Sequence, residues 1–204
     1  VQGYGAVMEA VKRCWASLWT ARAIGYRARQ GIGVEGLSLA VVVQLLVPAE
    51  AAGILFTANP LTGRRDEAVL SAAWGLGEAV VGGLVTPDTL TVDKASGAVL
   101  ERQIADKQVM TARVNGGTEQ QPVPEALRHA RVLDDPTAAE LVRLGAQIEA
   151  LYGLPVDIEW ALADGALAIV QARPITTLPE PEVPVPSEWP MPDPRGPYMR
   201  GSVA

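Results

Sequence analysis

The chain of 204 residues has one cysteine, one histidine, one phenylalanine and three lysines. A lone thiol, Cys14, can make neither an internal disulfide nor a cysteine-rich metal knuckle, so an oxidising compartment has no support and a cytoplasmic setting is expected. A lone imidazole, His129, excludes metal centres built from several histidines. It lies on a polar stretch beside Arg128 and Arg131, with no carboxylate partner in sequence, and is not read as a catalytic histidine. With only Lys12, Lys94 and Lys107 available, phosphate binding must lean on arginine and backbone N–H groups. No apolar run reaches the length of a membrane span, and no charged segment followed by an apolar one opens the chain as a secretory signal. Positive charge is also short: 17 Lys+Arg stand against 23 Asp+Glu, a net charge of −6. That balance argues against a nucleic-acid or anionic-membrane footprint.

What is present suits a soluble globular protein, 49% apolar and 20% charged, long enough for one sizeable domain. From Ala6 to about Arg29, apolar residues including Val7, Val11, Cys14, Trp15 and Leu18 recur at helical spacing, predicting one long amphipathic helix with Cys14 in the core. A glycine-rich turn follows, and then a strand-type run, Leu39–Val47, stopped by Pro48. Further strands are expected at 52–58 and 67–73, separated by the turn Asn59-Pro60-Leu61-Thr62-Gly63. Trp74-Gly75-Leu76-Gly77-Glu78 reads as a tight loop opening a short helix. Residues 89–93 and 99–104 form a hairpin, and 112–135 read as a polar surface connection. Pro136 starts an amphipathic helix over 137–152, with Leu141, Leu144, Ile148 and Leu151 on one side. A last hairpin pairs 156–162 with 167–173. Nine of the sixteen prolines then fall between 174 and 197, the composition of a linker. Hairpins dominate, so the expected class is α+β with a largely antiparallel sheet flanked by helices.

The last hairpin is chemically the richest element. Asp157 and Glu159 are two apart and share one strand face, while Val156, Ile158, Trp160 and Leu162 take the other. Gln171 and Arg173 have the same spacing on the return strand. Two carboxylates, an amide and a guanidinium on one face suit a Mg²⁺-nucleotide, hard oxygens holding the metal and arginine neutralising phosphate. The plainer alternative is an exposed polar face on an edge hairpin. Convergence depends on the turn. A two-residue Asp-Gly turn opposes Glu159 to Val170 and puts Gln171 on the wrong face. A three-residue loop with Gly165 left-handed unites all four residues, and is expected. The glycine loop at 74–78 could offer N–H groups to an anion or could simply turn the chain. Glu78 would repel phosphate, so a hydroxyl or a metal suits it better. Gln44 interrupts an apolar run, where its amide needs either a ligand base or neighbouring backbone. Arg64 and Arg65 read as solvated charges.

The segments AVVVQLLVPAEAAGILFTANPLTGRRDEAVLSAAWGLGEAVVGGLVTPDTLTVD and YGLPVDIEWALADGALAIVQARPITTL resemble the N-terminal nucleotide-binding domain shared by phosphoenolpyruvate synthase, pyruvate phosphate dikinase and rifampicin phosphotransferase. VKRCWASLWTARAIGYR and the tail WPMPDPRGPYMRGSVA are similar to flanking parts of the same proteins. The resemblance implies an ATP-grasp fold, mainly its second lobe, over residues 1–178, with 179–204 a proline-rich linker toward a phosphohistidine domain. It implies metal binding at Asp157, Glu159 and Gln171, nucleotide contacts at Gln44, Leu46, Glu78 and Arg173, and catalytic roles for Glu159 and Arg173, with ATP and Mg²⁺ as cofactors. The phosphate-gripping first lobe, the Ser-His phosphohistidine motif and the acceptor site have no match, and the ends read as cut from a longer chain. The implied activity is phosphoryl transfer from ATP to a histidine on another domain and on to an acceptor such as pyruvate, with no turnover by this chain alone. Alternatives are an antibiotic kinase of the rifampicin phosphotransferase type and a noncatalytic interaction module retaining the fold.

Overall fold

A computed structural model describes residues 1–114 and 117–179. Six strands form one antiparallel sheet: β1 (Ala51–Phe56), β2 (Glu67–Trp74), β3 (Asp88–Asp93), β4 (Val99–Gln103), β7 (Val156–Ala163) and β8 (Ala166–Pro174), in the order β4-β3-β2-β1-β7-β8. The short helix α3 (Glu78–Val81) follows β2. Between β4 and β7 the chain makes a separate two-stranded sheet, β5 (Val109–Val114) with β6 (Gly117–Pro122), then α4 (Glu125–Arg128) and α5 (Asp135–Tyr152). The class is α+β, and the sheet is antiparallel as its hairpin-rich pattern requires. Among the described residues no helix is long and apolar enough to cross a membrane.

Strand alternation sends Leu55, Leu70, Leu90, Val92, Ile158 and Trp160 to one face, where they are buried against Leu133, Ala138, Leu141 and Val142. Each fully buried Leu or Ile there contributes about 1.5–3 kcal/mol relative to exposure. Gly145 lets α5 approach the sheet: a Cβ there would lie 2.5 Å from Leu55 Cδ2. The inward stripe of α5 is therefore Ala138, Leu141, Val142 and Gly145, and Leu151, expected on that side, is 85% exposed. Asp134 caps α5, accepting 2.9 Å from the Thr137 N–H. The Thr137 side chain first, and its N–H second, hold the Asp134 carboxyl below the usual range. A depressed carboxyl stabilises the fold fully above its unfolded value of about 3.9 and stops doing so as pH falls through the folded value. Asp134→Ala is expected to cost about 1 kcal/mol near neutral pH. Denaturant unfolding at neutral and strongly acid pH checks this. The gap between wild type and variant should close in acid, and a gap independent of pH would refute the assignment.

Four expectations need correction. The long N-terminal helix is two helices, α1 (Tyr4–Ala16) and α2 (Ala21–Gln30), interrupted by a 3₁₀ turn at Ser17–Trp19. Thr20 is extended, at ψ 152°, and its Oγ1 accepts from the Ala23 N–H, starting a new helix where the periodicity ran on unbroken. Cys14 is exposed, and α1 buries no residue, because its apolar stripe meets no partner among the described residues. Leu39–Val47 forms no strand; both neighbours of β1 are β2 and β7, and without a ladder an apolar run is not held as sheet. Residues 112–135 are not a plain connection, since they complete β5 and contain β6, α4 and the core residues Val132 and Leu133. Apart from Pro179, the proline-rich linker of 179–204 lies outside the described residues.

Candidate functional site

The β7–β8 hairpin turns at Asp164 and Gly165, with φ of 51° and 73°. Both are left-handed and Ala163 pairs with Ala166, so the connection is the two-residue turn and not the three-residue loop expected. Such a turn alone would set Gln171 on the core face. The register shifts once, however: Trp160 pairs with Ile169, but Glu159 pairs with Gln171, leaving Val170 as an extra residue. This β-bulge flips the rest of β8 over. Asp157 then stands opposite Arg173, and Glu159 opposite Gln171, all on the face away from Trp160. The four polar residues do share a face, brought there by a bulge in mid-strand.

Their environments differ. Asp157 is nearly buried, while Arg173 reaches solvent at 62% exposure. Arg173 Nε donates to the carboxylate oxygen Oδ2 at 2.8 Å, and one terminal nitrogen lies 2.7 Å from the same oxygen. That contact holds the guanidinium even more firmly in its charged form. Oδ1 of Asp157 is buried without a hydrogen-bond partner. A buried carboxylate oxygen left unmatched costs free energy, and a cation is the partner that best offsets it. No three His, Cys, Asp or Glu side chains cluster among the described residues. A cation here would need the Gln171 amide and oxygens from a ligand to fill its shell. Mg²⁺ commonly binds this way, through one or two carboxylates plus phosphate.

A cavity of about 560 Å³ opens at the other end of the same face. Ala52 and Ala161 are paired neighbours that make its small-residue floor, with Glu159 beside them. Gln44, Leu45 and Leu46 pass along one side, Gly77 and Glu78 along another, and Thr118 of β6 completes the rim. Four residues separate Ala161 from Asp157, about 13 Å along a strand. The face therefore runs from an apolar cavity, past Glu159 and Gln171, to the Asp157–Arg173 pair. Of the residues singled out in the sequence, Gln44, Leu46, Glu78 and Glu159 line the cavity; Asp157, Gln171 and Arg173 lie beyond it on the same face. Gln44 is exposed and among the described residues its side chain makes no hydrogen bond, so the interior amide that the interrupted apolar run suggested is not found, and water can satisfy it.

The glycine loop is not an anion cradle. The Gly75 N–H donates to Glu50 O at 2.7 Å, and the Leu76 N–H to Thr111 O at 2.8 Å. Gly75 has φ 81°, and a Cβ there would lie 2.3 Å from Thr111 O. Its glycine serves the close approach of β5. Arg64 pairs with Asp66 and Glu67. His129 is exposed, 3.7 Å from Asp106, and does not line the cavity. Thr118 is the rim residue that the sequence reading missed. Its signal was Asn115-Gly116, a turn-prone pair between two six-residue runs.

The sequence that builds this face is matched over nearly the whole chain. The family described as "Pyruvate phosphate dikinase, AMP/ATP-binding domain" covers residues 1–189. The chain belongs to that family. Among relatives of this pyruvate phosphate dikinase AMP/ATP-binding domain, a probable phosphoenolpyruvate synthase of Methanothermobacter thermautotrophicus is 47% identical over 180 residues, 88% of this chain and 26% of the relative. The phosphoenolpyruvate synthase of Pyrococcus furiosus is 49% identical over 189 residues, 88% of this chain and 23% of the relative. A rifampicin phosphotransferase of a Streptomyces species is 50% identical over 184 residues, 89% of this chain and 21% of the relative. The domain thus spans about a quarter of the length of these relatives.

Proposed function

We propose that residues 1–178 form the second lobe of an ATP-grasp fold and carry the base and metal side of an ATP site. The carrying observation is the orphaned Asp157 Oδ1 on a face whose other end is a nucleotide-sized apolar cavity. In this reading the adenine lies on the Ala52–Ala161 floor, with the Gln44 amide and the Leu46 segment at its edge. Asp157, Glu159 and the Gln171 oxygen are the residues that would hold Mg²⁺, whose chemistry is to neutralise charge on the phosphates. Arg173 is oriented by Asp157 through its Nε–H and keeps the rest of its guanidinium N–H donors for the transferring phosphoryl group. Phosphoryl transfer asks little covalent chemistry of the protein and much positioning and charge compensation, which this residue set is able to supply.

The relatives are about four times as long as this chain, which supports placing the other half of the ATP site, the phosphohistidine and the acceptor site on other parts of a multidomain phosphotransferase. The phosphoryl group passes from ATP to a histidine on a separate domain and then to an acceptor such as pyruvate. The identity to rifampicin phosphotransferases favours rifampicin as a second reading of the acceptor. The setting is cytoplasmic. Calorimetric titration of residues 1–204 with Mg-ATP tests the half-site: saturable binding is expected at about 0.1–1 mM. Micromolar or tighter binding would refute the half-site, and no saturable binding would refute the ATP site itself.

A further inference from the structure

Asp157 occupies a costly position. Its carboxylate is nearly buried with Oδ1 unpartnered, so without a cation the side chain gains by turning out to water. Arg173 does not prevent that turn, because it is itself exposed and free to follow. The restraint has to come from the backbone of β7.

Asp157 is the second residue of β7, and strand ends fray unless they are tied. On the β1 side the register ends with Phe56 opposite Asp157. One step further the chain bends away from the sheet, toward the turn that Asn59 builds by accepting from the Leu61 and Thr62 N–H groups at 3.0 and 3.3 Å. The Thr57 N–H still donates to Val156 O at 3.0 Å. The return bond is made by a side chain: the Val156 N–H donates to Thr57 Oγ1 at 2.9 Å. Both backbone groups of Val156 thus end on Thr57. On its other side Val156 stands opposite Pro174, which has no N–H to give. Thr57 and Val156 are fully buried, so water does not replace the bond when the hydroxyl is lost. The Thr57 methyl is turned toward α5, where a Cβ on Gly145 would lie 3.2 Å from it. That packing, with the stiffness of a β-branched side chain, keeps Oγ1 aimed at Val156.

We propose that Thr57 is a positioning residue for the metal site: its hydroxyl ties down Val156 and so holds the Asp157 carboxylate buried and ready for a divalent cation. The inference rests on Asp157 being a metal ligand. Thr57 lies on the α5 side of the sheet and acts through the strand alone. Removing a group that holds a metal ligand in place commonly costs about 10–100-fold in metal affinity, and a hold exerted one residue away belongs at the lower end.

The test compares ATP dissociation constants in saturating Mg²⁺ and in EDTA. It uses the full-length polypeptide and its Thr57→Val, Thr57→Ser and Asp157→Asn variants, with urea unfolding of each. The ratio of the two constants is the affinity gained from the metal. Thr57→Val keeps shape and removes the hydroxyl. It should lower that gain about tenfold while ATP binding in EDTA stays within about twofold, which also reports a folded nucleotide site. Thr57→Ser keeps the hydroxyl and loses the methyl, so its gain should stay within about threefold of wild type even where its unfolding midpoint drops. Asp157→Asn should remove most of the gain. Three results overturn the role of Thr57 while a loss in Asp157→Asn leaves the metal reading standing: an unchanged gain in Thr57→Val, an equal loss of gain in Thr57→Ser, or an equal loss of ATP binding with and without metal. An unchanged gain in Asp157→Asn overturns the metal reading and this inference with it.

Discussion

Replacing Glu159 by Gln in the full-length polypeptide is expected to lower ATP-dependent phosphoryl transfer by about 10²–10³-fold, the usual cost of losing one charge-stabilising group at a reacting centre. Glu159 is half-buried, lines the cavity and stands opposite Gln171, so it is placed between the base end and the Asp157–Arg173 pair. The substitution keeps shape and removes charge. The Arg173–Asp157 contact does not involve Glu159, and the core lies on the other face of β7. Unfolding free energy should therefore stay within about 0.5 kcal/mol of wild type. Turnover assays with a denaturation curve on the same preparation decide it. A loss below tenfold would take Glu159 out of the metal site, and a matching loss of stability would assign the effect to folding.

The second large effect lies away from the site. Lys107→Met is expected to destabilise the fold by about 3–5 kcal/mol, the range for breaking a buried ion pair by removing one member. Asp88 and Lys107 are 0% and 1% exposed and 2.6 Å apart. Asp88 also accepts from the Ala105 and Val132 N–H groups, and Lys107 donates to Ala105 O. The pair thus joins the start of β3, the root of the β5–β6 hairpin and the approach to α5. Met fills similar volume but leaves a buried carboxylate with two backbone donors and no counter-charge. A domain with total stability of about 5–15 kcal/mol would keep little of it. Urea unfolding measures the change, and a loss below about 1 kcal/mol would mean that Asp88 is satisfied by backbone alone.

Neither Asp88 nor Lys107 stands out in sequence, whereas Glu159 does, and the contrast follows from range. Glu159, Asp157, Gln171 and Arg173 obey a spacing of two on adjacent strands, which is local and legible. Asp88 and Lys107 are nineteen residues apart and meet only when the segment after β4 folds back. The N-terminal helix break is illegible for the opposite reason: Thr20 caps a helix through its own backbone angle, which apolar periodicity does not register. The β5–β6 hairpin is illegible because β6, Gly117–Pro122, has no apolar alternation to mark it as a strand, although Asn115-Gly116 is a turn-prone pair. Thr118 was lost together with that hairpin.

By itself the sequence determined the α+β class, the strands β1 to β4, the helix α5, the identity of the polar residues on the last hairpin and the family. These follow from periodicity, turn chemistry and motif, all properties of neighbouring residues. Tertiary structure alone decided which face Gln171 and Arg173 take. The Asp164-Gly165 turn would have turned them toward the core, and one unpaired residue, Val170, reversed the outcome for all that follow it. A strand has a period of two, so a single bulge exchanges its faces, and no pattern within β8 records where the bulge falls.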